Sequence, residues 1–221
     1  MRISSRYFLR NVGFGLIILI AAACVPPDTE EEFPDDEWYV EKDEERCGQL
    51  LSSAAEYYKN KDWKSTIRVY RMLTNDGCDR GNEEQVYQFW AIAHERQVQF
   101  DSSEVVLLQG LKLLPDNLNL YNRLAYAYKR LNKPENEAYV YQDILDIEPE
   151  NSETLKDLAR VYGDMERYEE QVEVLKQILE LEPTNKSAEG DLVLAFENLG
   201  LDPLDIYRTR FAHNPNNVSY G

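Results

Sequence analysis

Pro115, Pro149 and Pro183 stand 34 residues apart. No other feature of the chain restricts its fold as much. The segments leading into them match: G-L-K-L-L-P-D-N, I-L-D-I-E-P-E-N and I-L-E-L-E-P-T-N. Upstream, aromatic and small residues recur at the same interval, as Tyr128 and Tyr162, and as Trp90-Ala91, Leu124-Ala125 and Leu158-Ala159. A fixed interval of this size means one supersecondary unit copied in tandem, each copy burying its apolar face against the next. Within a copy, apolar residues fall three and four apart, as in Leu155, Leu158, Ala159 and Tyr162. That spacing is the stripe of an amphipathic helix. Asn117 and Asn151-Ser152-Glu153, just past the prolines, offer helix N-caps. No window shows sustained strand alternation, so the expectation is an all-α chain.

The pattern resembles the tetratricopeptide repeat, a helix–turn–helix unit of the same length. The resemblance spans about residues 47–215. Its best copy is 152–185, with Leu155, Leu158, Ala159, Tyr162, Tyr168, Leu175, Ile178 and Pro183. The copy at 118–151 has Tyr121, Leu124, Ala125, Tyr128, Tyr141, Ile144 and Pro149. The copy at 84–117 has Tyr87, Trp90, Ala91, His94, Phe100, Leu107 and Pro115, with Gly110 where the family has Ala. The first copy, 47–80, has Leu50, Ala54, Tyr57, Trp63, Tyr70 and Leu73, but Cys78 stands where proline belongs. The last, about 186–217, has Leu192, Phe196, Tyr207 and Pro215, with Glu189 in place of a large apolar residue. The resemblance implies a right-handed α-solenoid of about five units and roughly ten helices, over residues 46–215, with a tail at 216–221.

The segment before the repeats reads differently. Arg2, Arg6 and Arg10 precede an apolar run from Val12 to Ala23, the pattern of a secretory signal over residues 1–23. Twelve helical residues rise only about 18 Å, short of the roughly 30 Å hydrocarbon core. The run ends Ala21-Ala22-Ala23-Cys24, which resembles the bacterial lipobox. That resemblance implies lipidation of Cys24, and Val25 after it implies delivery to the outer membrane, periplasmic face. The alternative is ordinary cleavage after Ala-x-Ala, leaving Cys24 a plain thiol. Residues 24–45 are strongly acidic and begin with prolines, so they read as an extended tether. Phe33, Trp38 and Tyr39 are unusual in a spacer, and either dock on the fold or meet a partner.

The whole chain carries 24 basic and 41 acidic residues, a formal charge of −17. Losing residues 1–23, with three arginines and no acid, would take it to −20. That sign argues against nucleic acid as a partner. It also argues against charge-driven adhesion to anionic lipid, leaving the lipid anchor as the membrane contact.

Cys47 and Cys78 fall at opposite ends of the first unit's sequence, which an antiparallel helix pair would bring to one end of the hairpin. In an oxidising compartment they would form a disulfide worth about 3 kcal/mol. The alternative is two separate buried thiols. The nucleophile motif G-x-S-x-G, the zinc motif H-E-x-x-H and the phosphate-binding Walker loop are all absent. His94 occupies a repeat core position. The expectation is therefore a non-enzymatic chain with no cofactor and no metal.

In the tetratricopeptide family the first helix of each unit lines a concave groove. Carried over, the groove residues are Gln85, Gln88, Ile92, Glu95 and Arg96, then Asn119, Asn122, Tyr126, Lys129 and Arg130. The next unit adds Glu153, Lys156, Arg160, Gly163 and Asp164. Arg96, Lys129, Arg130, Lys156 and Arg160 outnumber the acids there, which implies an extended peptide or protein segment of acidic character. The same charges also fit pairs along one helix, Glu153–Lys156 and Arg160–Asp164. A scaffold for protein–protein interaction is the first expectation. Self-association through solenoid ends at Leu204, Ile206, Tyr207 and Phe211 is the second.

Overall fold

The computed structural model describes residues 44–202 and 204. The expected signal, Cys24, the acidic segment through residue 43, and Ile206, Tyr207, Phe211 and Pro215 lie outside the described residues. Among the described residues there are nine helices and no strand. They are α1 (Glu44–Lys59), α2 (Trp63–Asn75), α3 (Glu83–Arg96), α4 (Phe100–Leu113), α5 (Leu118–Arg130), α6 (Pro134–Ile147), α7 (Ser152–Asp164), α8 (Tyr168–Leu181) and α9 (Lys186–Asn198). Each packs on its neighbours in sequence, and α3 also meets α5. The array is an all-α solenoid of repeated helix pairs. The expected tenth helix falls outside the described residues. None of the described helices is long and apolar enough to cross a membrane.

Two turn types, each repeating, explain where the helices stop. The turn inside a pair is a left-handed cap. Lys61, Val98, Asn132 and Glu166 take φ of 59°, 59°, 54° and 58°, and Gly200 takes 68°. The N–H that follows reaches back to close the helix, as in Gln99 to the His94 carbonyl (3.0 Å) and Lys133 to that of Tyr128 (3.0 Å). The turn between pairs is built on proline. Pro115, Pro149 and Pro183 occupy the second position of turns closed by Asn117, Asn151 and Asn185, whose N–H groups donate to Leu114, Glu148 and Glu182 at 3.2, 3.1 and 3.0 Å. The same asparagines then cap the next helix. Their side-chain oxygens accept from the N–H of Leu120, Thr154 and Ala188 at 3.0, 3.0 and 3.1 Å.

The first unit replaces the proline turn with a disulfide. Cys47 on α1 is bonded to Cys78 after α2, their Cα atoms 5.2 Å apart. Beside it Arg46 pairs with Asp76 at 2.7 Å. Both links hold the start of α1 to the end of α2.

The core is one continuous apolar cluster built from columns that step by 37 residues from the first unit to the second and by 34 thereafter. Ala54, Ala91, Ala125 and Ala159 are buried where the paired helices approach. Tyr70, Leu107, Tyr141 and Leu175 fill the facing second helices. Gly110 departs from the family's Ala for a steric reason. A Cβ there would lie 2.8 Å from Tyr87 Cβ and 2.9 Å from its Cγ. At the corresponding position the next two units bury Ile144 and Ile178.

Candidate functional site

The first helices of successive units, α3, α5 and α7, carry the expected groove residues. Gln85, Arg96, Asn119, Asn122, Tyr126, Lys129, Arg130, Glu153, Lys156 and Asp164 are exposed, while Gln88, Arg160 and Gly163 are partly covered. Two residues differ from expectation. Ile92 is buried in the core. Glu95 turns into the α3–α5 junction, where Arg123 meets it at 3.0 Å and the Ser103 hydroxyl donates to it at 3.3 Å. Burial pushes the Glu95 carboxyl above its ordinary pKa, against the pull of Arg123 and Ser103.

The five cations are not equivalent. Arg160 is held by three carboxylates: Glu137 at 2.7 Å, Asp164 at 2.9 Å and Asp157 at 3.7 Å. Burial opposes the Arg160 charge, but Glu137 and Asp157 outweigh it and raise its pKa. Lys156 pairs with Glu182 at 2.9 Å. The pair Arg160–Asp164 thus forms along α7, but Glu153–Lys156 is not among the ion pairs formed. Arg130 donates to the Tyr126 hydroxyl at 3.0 Å and lies over the Phe100 ring, 4.5 Å from its centroid. Arg96 and Lys129 make no ion pair among the described residues.

Two of the acids that neutralise Lys156 and Arg160, Glu182 and Glu137, were missed at the level of sequence. Glu182 ends α8 and accepts from Ser152, Lys156 and Asn185. Those hydrogen bonds, Ser152 first, lower its pKa to about 2. Glu137 lies on α6 and is only 4% exposed. It belongs to a polar column, Thr66, Ser103, Glu137 and Gln171, whose last three members stand 34 residues apart. That interval was the available signal. The hydroxyls of the column are satisfied, Thr66 by the Asp62 carbonyl at 2.7 Å and Ser103 by Glu95.

Between α7 and α9 lies an open cleft of about 510 Å³. Lys156, Arg160, Gly163 and Asp164 rim it from α7, with Ser187 and Asp191 opposite on α9. Leu175, Ile178 and Ala188 line it as well. Polar rims around an apolar floor suit a side chain anchored by its apolar part and oriented by its ends.

His94 is a core residue, as expected. Its Nδ1 donates to Gln99 Oε1 at 2.9 Å. Burial chiefly, with the charge of Arg71, lowers its pKa against that hydrogen bond. No group of three or more His, Cys, Asp or Glu among the described residues is placed to hold a metal.

Residues 157–185 match the family model of the tetratricopeptide repeat. No curated protein matches the chain. Among solved structures, a crystal structure of the MamA protein is 16% identical and superposes with a TM-score of 0.57, over 80% of this chain and 96% of that one. A tetratricopeptide repeat protein from Parabacteroides merdae is 16% identical, with a TM-score of 0.59, over 78% and 68% of the two chains. MamA from AMB-1 is 17% identical, with a TM-score of 0.55, over 72% and 85%. At these identities the likeness is one of fold. The repeat matched at 157–185 and the helix pairs of α1–α9 make the chain similar in fold to tetratricopeptide repeat proteins.

Proposed function

We propose that this protein is a scaffold that holds an extended segment of a partner protein along the face made by α3, α5 and α7. One observation carries the reading. Four of the five groove residues expected from α7, namely Lys156, Arg160, Gly163 and Asp164, rim a single open cleft. Asn122 presents an amide donor and acceptor for a peptide backbone, beside Asn119, which donates to Glu84 at 2.7 Å, and Tyr126 presents an exposed ring. Arg96 and Lys129 supply unpaired positive charge, so an acidic segment is the favoured ligand. Lys156 and Arg160 already serve Glu182 and Glu137 and contribute less to capture.

The location proposed for this scaffold is the bacterial envelope. Lipid on Cys24 would anchor it at the periplasmic face of the outer membrane, where the acidic segment would lift the repeats off the bilayer. The support is the residue pattern at 2–24 and the disulfide, which suits an oxidising compartment. Assembly of envelope complexes is the role this arrangement serves.

The test is a photo-crosslinking side chain placed at Asn122 in intact cells, with the same probe at exposed Tyr139 on α6 as control. Adducts to a protein at Asn122 but not at Tyr139, lost in an Arg96→Glu/Lys129→Glu variant, are the expected outcome. Equal adducts at both positions would reject the groove. Self-association is favoured by one observation, the exposed Leu194, Leu201 and Leu204 toward the end of the described array. A stable dimer by mass measurement in solution would support it over the scaffold.

A further inference from the structure

The two helices without an acid are α2 and α5. In α5 the cations are largely engaged, Arg123 with Glu95 and Arg130 over Phe100. In α2 none is. Lys64, Arg68 and Arg71 are exposed and make no ion pair among the described residues. Their spacing, four and three residues, puts them on one stripe of the helix. Lys59 and Lys61 extend the positive charge into the preceding turn, where the N-cap Asp62 is the one acid. An unpaired cationic stripe is conspicuous in a chain with 41 acidic residues.

The stripe also borders a depression. Lys64, Ile67 and Arg71 form one wall of an open pocket of about 610 Å³. Its other side is the α3–α4 turn, with His94, Val98, Gln99 and Ser102, and a single acid, Asp101. The pocket therefore joins two cations to amide and hydroxyl groups over an apolar floor. None of the groove residues named above lines it, and it shares no residue with the α7–α9 cleft.

We propose that this α2 face is a second binding surface, for an acidic peptide segment. Seven residues of helix separate Lys64 from Arg71, a rise of about 10 Å. Three residues of peptide in the polyproline-II conformation rise about 9 Å and bring side chains back to the same side. The fitting ligand is therefore an extended segment with carboxylates three residues apart, one at each end of the pocket. Charge-assisted hydrogen bonds to Lys64 and Arg71 hold it, and the apolar floor takes the residues between. The ligand would be caught independently of the groove, so one molecule can hold two partners at once.

The test uses the full chain in a non-ionic detergent and a labelled, end-blocked peptide carrying Glu at every third position. Fluorescence anisotropy measures binding, and hydrogen exchange locates it. Expected are protection at α2 and the start of α4, weakening with added salt, and a loss of about tenfold or more in a Lys64→Glu/Arg71→Glu variant with unchanged helicity. In the groove variant Arg96→Glu/Lys129→Glu, which removes the groove's own free cations, the protection at α2 and the start of α4 should persist. Protection at α3, α5 and α7 instead, or undiminished binding by Lys64→Glu/Arg71→Glu, would overturn the proposal. So would capture of phosphatidylglycerol vesicles by the stripe with no capture of the peptide. Failure here leaves the groove reading intact, because the two variants share no residue.

Discussion

Adding one methyl group at each of two helical glycines should move stability in opposite directions. Ala in place of Gly inside a helix is worth about 1 kcal/mol in propensity. At Gly190, exposed on α9, an added Cβ meets nothing within 4 Å, so Gly190→Ala should stabilise by about that amount. At Gly110 on α4 the same Cβ would lie 2.8 Å from Tyr87 Cβ, 2.9 Å from Tyr87 Cγ and 3.0 Å from Leu120 Cδ1. Carbon contacts are best near 3.5–4.0 Å. Tyr87 Cβ is attached to the α3 backbone and cannot swing aside, so α3 and α4 must part. Overpacking of this kind costs about 1–3 kcal/mol. The propensity gain is common to both variants, so the stability difference between them reads the steric cost alone, about 1–3 kcal/mol. Urea unfolding followed by circular dichroism measures it, provided the slope against denaturant is unchanged. If Gly110→Ala gained as much as Gly190→Ala, the Tyr87 contact would not be the reason for glycine, and the packing argument fails.

Three further outcomes are expected. Val98 is a β-branched residue held at φ 59°, a conformation costing about 1–2 kcal/mol, and its side chain is 71% exposed. Val98→Gly should therefore stabilise by roughly 1 kcal/mol after the added freedom of the unfolded chain is subtracted, seen as a higher denaturation midpoint; a lower one would contradict it. Replacing Cys47 and Cys78 together by Ser should destabilise by about 3 kcal/mol, whereas equal midpoints with and without reductant in the native chain would show that the bond carries no stability. Hydrogen bonds from Ser152, Lys156 and Asn185 hold the Glu182 pKa at about 2, below the ordinary carboxylate range. A depressed folded pKa gives stability that is complete above the unfolded value and is lost as pH falls toward 2. The stability gap between the native chain and Glu182→Gln should shrink across that window, and a gap that stays constant from neutral to acid pH would refute the assignment.

Much of the fold can be read along the chain because its signals are local. The proline interval, the asparagine caps and the apolar stripe each involve residues a few positions apart, and backbone geometry alone brings these together. The disulfide was one of two alternatives left open by positions that share an end of a helix hairpin, and the structure forms it. The left-handed caps were less legible. Asn132 and Gly200 use residue types that favour the conformation, while Lys61, Val98 and Glu166 hide it.

The charge of the groove could not be read this way. Counted along α3, α5 and α7, five cations outnumber the acids. In the structure Arg160 meets Glu137 across 23 positions and Lys156 meets Glu182 across 26. Those acids sit on the second helices, and Glu95 leaves the groove face to meet Arg123 on α5. Periodicity specifies which side of its own helix a residue occupies. It does not specify which long side chain from a neighbouring helix reaches across to it, since that depends on how the helices cross and stack. The sequence by itself determined the repeat, its turns and its core. Tertiary packing decided which cations remain free, leaving Arg96 and Lys129 in the groove and a whole stripe on α2.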